Sequence, residues 1–321
     1  MDRQLLLAKT EDTYGTDAEA AAANTVWAEN IRFEPTGQRV TSAPAKPGVG
    51  AVADQTYGEY AVVGFEIPLV GSGEAGVAPK WGFIHLACGY GETIVAETSV
   101  TYGLLADPLT DSESLTLVWR DGNRRVHLVT GWKGTVNYRL SAGGRPMAIY
   151  TGKGIHHDVT TAGAPLAHAD AVFTGWLDAK PVSNGTTTFS FAGVSNLGVR
   201  EFTLDQNDTV NFIDVPGQEL TRHLGERIFT GSMKITCPLP STLNLETKWR
   251  TGAVETFSLV HDTVAGRIVT VNGRTQLIDP RYSRENAGQG GGQGGDDVAS
   301  ASLKLVPSSL VTDNELAIVC T

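Results

Sequence analysis

Residues 114–154 read SLTLVWRDGNRRVHLVTGWKGTVNYRLSAGGRPMAIYTGKG, and this stretch decides the fold class. Apolar and polar side chains alternate in four short runs, which is typical of β-strands with one buried face. The runs are separated by Asp121-Gly122, by residues 131–134 and by Gly143-Gly144, the glycine-containing turns that close hairpins. The stretch therefore predicts an antiparallel meander of four strands with one apolar and one polar face.

The same alternation continues along most of the chain. Strands are expected at residues 26–34 and 60–70, and after the meander at residues 171–177, 186–192, 200–205, 209–215, 231–237, 255–261, 267–271, 276–279, 299–306 and 315–320. One short amphipathic helix is expected at residues 79–89, where Trp81, Ile84 and Cys88 recur at helical spacing, and a helical turn at 216–226. The fold class is mainly β: an antiparallel β-sandwich or partly closed barrel with one short flanking α-helix and long assembly loops.

Several segments lack an apolar repeat and are expected to lie outside the sheet. We predict a single elaborated β domain over residues 1–321, with an N-terminal arm at 1–25 and a long loop at 35–58. Residues 284–298 contain a tract of glycine and glutamine and are predicted to form a flexible loop. Residues 164–198 are left as either part of the core sheet or an outward decoration.

Composition excludes several functional classes. The 321 residues carry 25 Lys and Arg against 35 Asp and Glu, a net charge of −10 that disfavours binding to phosphate backbones. Cys88, Cys237 and Cys320 are an odd number without a Cys-x-x-Cys pair, and we expect reduced, buried thiols. No secretory signal and no run near the roughly 20 apolar residues of a membrane span is present, so we expect a product made in a cytoplasm.

The glycine and histidine motifs of the sequence do not form a recognisable catalytic site. Residues 71–76 match the Gly-x-Gly-x-x-Gly dinucleotide pattern, but Ala78-Pro79 separates the last glycine from the helix, and a plain connection is expected. His156-His157 and the more distant His168 lack metal-ligand spacing and are expected to be exposed loop residues. Residues 193–197 fail the Gly-x-Ser-x-Gly elbow at the last position. We therefore expect no cofactor, no metal site and no enzymatic activity.

Polar side chains mark one face of the two strands that flank the long loop. Asn30, Arg32 and Glu34 lie on the polar face of the first strand, and Glu66 lies on that of the second. If the two strands pair antiparallel, this face can carry a cross-strand contact between an arginine and a carboxylate. Such a face is either a solvated outer surface or the lining of a water-filled passage in an assembly.

Several segments, taken in order, resemble a known family. They are the leader LLLAKTEDTYGTD at residues 5–17, the long loop and then the helix ending LACGYG at 86–91, the unit 121–152 with GTV at 134–136, EFTLD at 201–205, and ERIFTGS at 226–232. In this order they are similar to the major tail tube protein of long-tailed, non-contractile bacteriophages, and the resemblance covers nearly the whole chain.

The resemblance implies a structural virion protein that self-assembles into hexameric rings stacked as a phage tail tube. The implied partners are further copies of itself, the tape-measure protein that fills the lumen, and the tail terminator and distal tail proteins. DNA passes through during ejection and is not a bound ligand, and no membrane is involved. The implied location is the virion, after synthesis in the host bacterial cytoplasm. Edge strands would be paired by neighbouring subunits, and an acidic chain would not hold passing DNA.

In this interpretation one polar face lines the lumen. Asn30, Arg32, Glu34 and Glu66 are the lumen-facing candidates, on a sheet formed by the strands flanking the long loop. The meander is expected to form a second sheet packed against it, with its arginine-bearing face, including Arg139, turned outward or toward other subunits. The inter-ring contact candidates are Tyr14, Pro44, Pro47, Val49 and Tyr57.

An alternative hypothesis is a monomeric β-sandwich binding module, such as a carbohydrate-binding domain. Exposed aromatic side chains among Tyr57, Tyr60, Tyr90 and Trp176 would form its binding platform. Hollow tubes favour the first hypothesis, and glycan binding by a strict monomer favours the second.

Overall fold

The computed structural model describes residues 4–46, 48–122, 125–161, 171–224, 227–286, 295–309 and 313–321. It is 53% strand and 7% helix, which confirms the predicted mainly β class. The strands are β1 (Gln4–Thr10), β2 (Thr25–Val26), β3 (Glu29–Thr41), β4 (Asp54–Pro68), β5 (Tyr90–Val95), β6 (Ser99–Leu104), β7 (Leu115–Asp121), β8 (Arg125–Ser141), β9 (Met147–His156), β10 (Thr187–Phe191), β11 (Val199–Asp205), β12 (Val210–Val215), β13 (Gln218–His223), β14 (Thr230–Thr236), β15 (Val254–His261), β16 (Val269–Asn286), β17 (Gly295–Leu305) and β18 (Leu316–Cys320). The helices are α1 (Gly82–Leu86), α2 (Pro108–Asp111) and α3 (Leu245–Thr251), and a 3-10 turn covers Ala22–Asn24.

Two long strands join most of these elements. β8 pairs with β9 along one edge, and along its other edge with β7 up to Trp132 and then with β11 from Asn137. β16 pairs with β15 on one edge, and with β18 and then β17 on the other. Because each long strand has two successive neighbours on one edge, 16 strands are joined into one antiparallel sheet.

This sheet packs against itself as a β-sandwich. We call the order β3-β4-β9-β8-β11-β14-β17-β16 the front sheet and the order β5-β6-β18-β16-β15-β10 the back sheet. Phe202 of the front sheet contacts Phe189 and Phe257 of the back sheet, with ring centroids 5.6 and 5.3 Å apart. The described residues form no closed barrel, so the sandwich is the architecture.

Helix α1 packs on the inner face of the front sheet. His85 is fully buried, and its two ring nitrogens lie 3.0 and 2.9 Å from the hydroxyl oxygens of Tyr138 and Tyr150. Burial lowers the pKa of His85 to about 3, so the imidazole is neutral. The helix predicted at residues 79–89 therefore exists, but it covers five residues, and Gly89 with a φ of 81° stands just beyond it.

Helix α3 was missed by the sequence analysis. Asn244 caps its start by accepting a hydrogen bond from the Thr247 amide at 2.9 Å, and Gly252 ends it with a φ of 64°. Leu245 alone is buried in this helix. The capping residues were present in the sequence, but the apolar repeat on which helix prediction depends was not.

The prediction of an N-terminal arm at residues 1–25 is wrong for residues 4–10, because these form β1 inside the sheet. Leu6 and Leu7 are adjacent and both buried, because β1 is covered on both faces and pairs with β2 and β7. The buried Glu11 carboxylate then accepts a hydrogen bond from the Gly131 amide at 2.6 Å. A strand buried on both faces shows a continuous apolar run instead of alternation, which is why it was taken for an arm.

Half of the long loop predicted at residues 35–58 is strand. β3 and β4 continue as one antiparallel ladder as far as Thr41 and Asp54, so the connection shrinks to residues 42–53. Backbone hydrogen bonds hold this extension, and they need no apolar repeat in the sequence.

The flexible loop predicted at residues 284–298 is also shorter, because β16 continues to Asn286 and β17 starts at Gly295. The glycine-rich residues 287–294 lie outside the described part of the chain.

The strands predicted at residues 267–271 and 276–279 are not separate. Together with the residues that follow Pro280 they form the single strand β16. The register shifts between Ile278 and Arg281, so the proline sits in an irregularity of the ladder, where its missing N–H is tolerated.

The meander predicted at residues 114–154 forms, with three strands instead of four. Residues 131–134 do not make a turn but belong to β8, where the register shifts between Thr130 and Lys133. Gly131 adopts a φ of 61° at this point. A bulge of this kind bends a strand without ending it, and a glycine pattern does not distinguish the two.

Only part of the described residues within 164–198, for which the sequence allowed either core or outward decoration, belongs to the core sheet. Residues 162–170 lie outside the described part of the chain, and the strand predicted at 171–177 does not form. β10 lies in the back sheet with Phe189 buried, so this end of the segment is core.

The helical turn predicted at residues 216–226 is wrong, because β12 and β13 form a separate two-stranded hairpin. Phe212 of this hairpin contacts Tyr60 of the front sheet, with ring centroids 5.2 Å apart. The Thr221 amide donates a hydrogen bond to the Tyr14 hydroxyl. The hairpin therefore lies against the outer surface of the front sheet near β4.

Candidate assembly surfaces

The distal half of the β3–β4 hairpin extends beyond the sandwich. We call residues 36–59 the arm, and none of its described side chains is buried. In the proximal half, by contrast, Ala61, Val63 and Phe65 are almost completely buried. The part of β3 within the arm, residues 36–41, spans roughly 20 Å at about 3.3 Å per residue. The ladder thus projects about 20 Å beyond the last buried residue.

The end of the arm is apolar and carries little charge. Residues 42–53 contain one charged side chain, Lys46, and Val49 is fully exposed. Pro44 is exposed in the same connection, and Pro47 lies outside the described residues. Tyr57 is 46% exposed farther back on the arm. Three of the five inter-ring contact candidates therefore lie together on the arm.

Tyr14 has a different environment from the other inter-ring candidates. Its hydroxyl accepts the hydrogen bond from Thr221, and its ring stands over Gly131, where a Cβ would lie 2.6 Å from a ring atom. Tyr14 is therefore engaged inside the subunit, between β8 and the β12–β13 hairpin. No local pattern in the sequence indicates this contact, because Gly131 and Thr221 are far from Tyr14 along the chain.

The lumen-facing candidates do share one surface, the outer face of the front sheet. Arg32 and Glu34 are exposed on β3, and Asn30 occupies an irregularity with a φ of 51°. The cross-strand contact expected between β3 and β4 is not formed, since Arg32 stands opposite Gly64. The carboxylate of Glu66 instead lies 3.2 Å from the guanidinium of Arg139 on β8.

This ion pair corrects the expected arrangement of two separate sheets. β4 pairs with β9 and β9 pairs with β8, so the flanking strands and the meander belong to one front sheet. Glu66 and Arg139 consequently project from the same face. The prediction that the lumen candidates and the arginine-bearing face of the meander belong to two separate sheets is wrong, because β9 joins β4 to β8 in one layer.

At each end of the front sheet one strand edge has no strand partner among the described residues, and helix α3 lies beside β16 near Gln276. β3 pairs with β4 alone, and β16 pairs with β17 on one edge but with β15 only as far as Gln276 on the other. Within the described ranges, no strand covers the outer edge of β3 or this edge of β16 beyond Gln276. Unpaired backbone N–H and C=O groups on such edges can accept a further strand.

The dinucleotide-like glycines have a packing explanation. The Gly73 amide donates to the Gly266 carbonyl at 2.8 Å, and a Cβ on Gly76 would lie 2.2 Å from the backbone nitrogen of Glu97. These close backbone approaches require glycine and join the connection to two other turns. The plain connection expected from the sequence fits this arrangement.

The expectation that His156 and His157 are exposed loop residues is wrong, since both are half-buried and His156 is the last residue of β9. His157 shares a hydrogen bond of 2.8 Å with the Thr130 hydroxyl, His156 packs edge-on against Phe33, and His168 lies outside the described residues. Across the described ranges, no group of three or more His, Cys, Asp or Glu side chains is placed to hold a metal. All three cysteines are free thiols, and Cys237 is half-buried whereas the other two are buried.

The aromatic residues of the binding-module hypothesis do not share a surface. Tyr90 is 1% exposed and belongs to the core, so it does not contribute to an exposed platform. Tyr60 is half-buried against Phe212, and the Trp176 indole donates to the Thr25 carbonyl at 2.9 Å.

No family model matches the chain, and no curated protein matches its sequence. In the described ranges, no helix combines the length and apolar character needed to cross a membrane. The arm and the open sheet edges are therefore the features on which a functional proposal rests.

Proposed function

We propose that this protein is a structural subunit that self-assembles into stacked hexameric rings, forming the tail tube of a long-tailed, non-contractile bacteriophage. The tube would serve as a conduit for the tape-measure protein and then for DNA during ejection. The observation that carries the proposal is the arm, residues 36–59. The family resemblance supplies the identity of the assembly and its six-fold symmetry.

The arm supports contact between successive rings. A two-stranded ladder without a buried face is marginally stable by itself in water, so it gains from a partner surface. Its tip exposes Val49 and Pro44 and carries little charge, which suits burial against protein. An arm about 20 Å long reaches beyond the sandwich to a neighbour along the tube axis.

The open edges of the front sheet support contact within a ring. β3 and the distal part of β16 lie at opposite ends of the same sheet, so a head-to-tail contact between copies would join two different edges. Heterologous contacts of this kind close into rings when the rotation between copies is right. Pairing of the edges also satisfies backbone groups that a monomer leaves to solvent.

The charge of the chain suits a passage for DNA. The net charge is −10, and Arg139 on the outer face of the front sheet is paired with Glu66. A net negative charge disfavours the retention of a phosphate backbone, although Arg32 is exposed on the same face.

Electron microscopy of the purified full-length chain over a range of concentrations tests the proposal. We expect rings or hollow filaments, whereas a chain that stays monomeric at every concentration would overturn it. Deletion of residues 44–53 should leave a folded subunit, with an unchanged circular dichroism spectrum, that no longer stacks. If this deletion variant forms filaments as readily as the full chain, the arm does not carry the axial contact.

A further inference from the structure

A polar groove of about 420 Å³ crosses the outer face of the back sheet. The strands β10, β15 and β16 and the turn that follows β10 form most of its lining. Its side chains are mainly hydroxyls and amides, and Arg274 is the only charged residue among the described lining residues. The groove lies on another layer of the sandwich from the front-sheet surface described above.

The strand register places the polar side chains of the groove side by side. Thr256 stands directly opposite Arg274, and Ser258 stands directly opposite Asn272. Ser190 stands opposite Ser258 on the next strand. Directly opposite side chains have Cβ atoms about 5 Å apart, and successive positions on one face of a strand are about 7 Å apart. The groove thus presents a compact grid of donors around one guanidinium.

These side chains are not used by the fold. In the described part of the chain, the side chains of Thr256, Ser258, Asn272 and Arg274 form no hydrogen bond or ion pair with another residue, nor does Ser195 at the rim. The Nε atom of Arg274 is buried and has no partner. No carboxylate of the described residues pairs with this guanidinium, so its terminal N–H groups are free to donate to an acceptor that enters the groove.

We propose that this groove binds a small molecule that carries one oxyanion group beside neighbouring hydroxyls, the chemistry of an acidic sugar. The planar guanidinium of Arg274 suits two parallel hydrogen bonds to a carboxylate or phosphate. The hydroxyls of Thr256 and Ser258 and the amide of Asn272 both donate and accept, as a polyol requires. No carboxylate among the described lining residues opposes the anion. This site is independent of assembly into a tube.

Saturation-transfer NMR on the full chain tests the site with three probes: glucuronic acid, glucose 6-phosphate and glucose. We expect saturable binding of at least one of the two anionic sugars and none of neutral glucose. The two anionic probes separate a carboxylate from a phosphate as the preferred group. If inorganic phosphate binds as tightly as glucose 6-phosphate, the sugar hydroxyls contribute nothing, and the proposal of an acidic-sugar site is overturned. The proposal is overturned if neither anionic sugar binds saturably, or if glucose binds equally well.

Variants of the groove locate the binding. Arg274→Gln should weaken binding about tenfold through the loss of charge-assisted hydrogen bonds. Arg281→Gln removes the same charge from an exposed position on the same strand and should leave binding unchanged. Equal losses in both variants would show that only the overall charge matters and would overturn the site. If Arg274→Gln does not fold, Asn272→Asp, which adds a repelling carboxylate to the groove, should abolish binding instead, and unchanged binding would overturn the proposal.

Discussion

The two halves of the β3–β4 hairpin form one continuous ladder but have opposite surroundings. In the proximal half, the Phe65 ring lies 5.9 Å from that of Trp132 and 5.3 Å from that of Tyr150. In the arm, residues 36–59, no described side chain is buried. Backbone pairing therefore defines the strands throughout, whereas burial stabilises one half only. The difference predicts that the proximal half controls folding and the arm controls assembly.

The largest effect is expected in the proximal half. Phe65→Ala removes a fully buried ring from the contact with Trp132 and Tyr150 and should lower the free energy of unfolding by about 3–5 kcal/mol. Tyr57→Ala, an aromatic truncation in the arm, should change it by less than about 0.5 kcal/mol. Urea denaturation followed by tryptophan fluorescence measures both values. If both variants lose a similar amount of free energy of unfolding, the two halves of the hairpin do not differ in their contribution to folding.

A buried carboxylate allows the same comparison between the core and the arm to be made for charged residues. Asp262 is buried, and its carboxylate oxygens lie 2.7 Å from the Lys180 ammonium and 3.2 Å from the Arg267 guanidinium. Burial by itself raises the pKa of Asp262, but Lys180, two backbone amides and Arg267 outweigh it and hold the pKa well below its ordinary value. The charged form therefore stabilises the fold.

Asp262→Asn should lower the free energy of unfolding at pH 7 by about 2 kcal/mol, since it removes the partner of two cations. Because the folded-state pKa is depressed, the contribution is complete above the unfolded-state pKa of about 4 and is lost as the pH falls through the folded value. The difference in melting temperature between wild type and variant should accordingly shrink below pH 4. Asp54→Asn in the arm, where the carboxylate accepts only an exposed hydrogen bond from Thr41, is the matched control and should melt near wild type at pH 7. A constant difference between wild type and Asp262→Asn from pH 7 to pH 2 would refute the pKa assignment.

The smallest effect on stability, and the most specific effect on assembly, is expected at the tip of the arm. Val49→Asp introduces a charge at a fully exposed position and should leave the melting temperature unchanged while it suppresses filaments. Val264→Asp makes the same change at a half-exposed position in another turn and should assemble normally. Light scattering and electron microscopy distinguish the two. If both variants assemble equally well, the arm is not part of the interface between rings.

The fold could be predicted wherever one face of a strand is buried and the other is not. The meander at residues 114–154 was found on this basis, because side-chain burial repeats every two residues there. β1 was missed because both of its faces are covered, and residues 131–134 were taken for a turn because a bulge also uses glycine. The full extent of the arm was missed for the opposite reason, since neither of its faces is buried.

The candidate surfaces were predicted less completely than the strands. The polar face with Arg32, Glu34 and Glu66 was identified by alternation alone, and the structure gives these residues a common surface. The partner of Glu66 was not identified, because Arg139 lies 73 residues away and reaches the same face through two intervening strand pairings. The polar groove around Arg274 gave no signal in the sequence, since its residues come from four strands and the segments next to them.

The sequence by itself determined the fold class and which strands have a polar face, because side-chain alternation is a local property of the chain. Tertiary structure alone decided which strands that are distant in the chain become neighbours. β4 adjoins β9, β1 adjoins β7, and β8 and β16 each carry two neighbours on one edge. Strand pairing brings together residues that are distant in the chain, and the order of strands in a sheet follows from how their buried faces pack together, which no local pattern records.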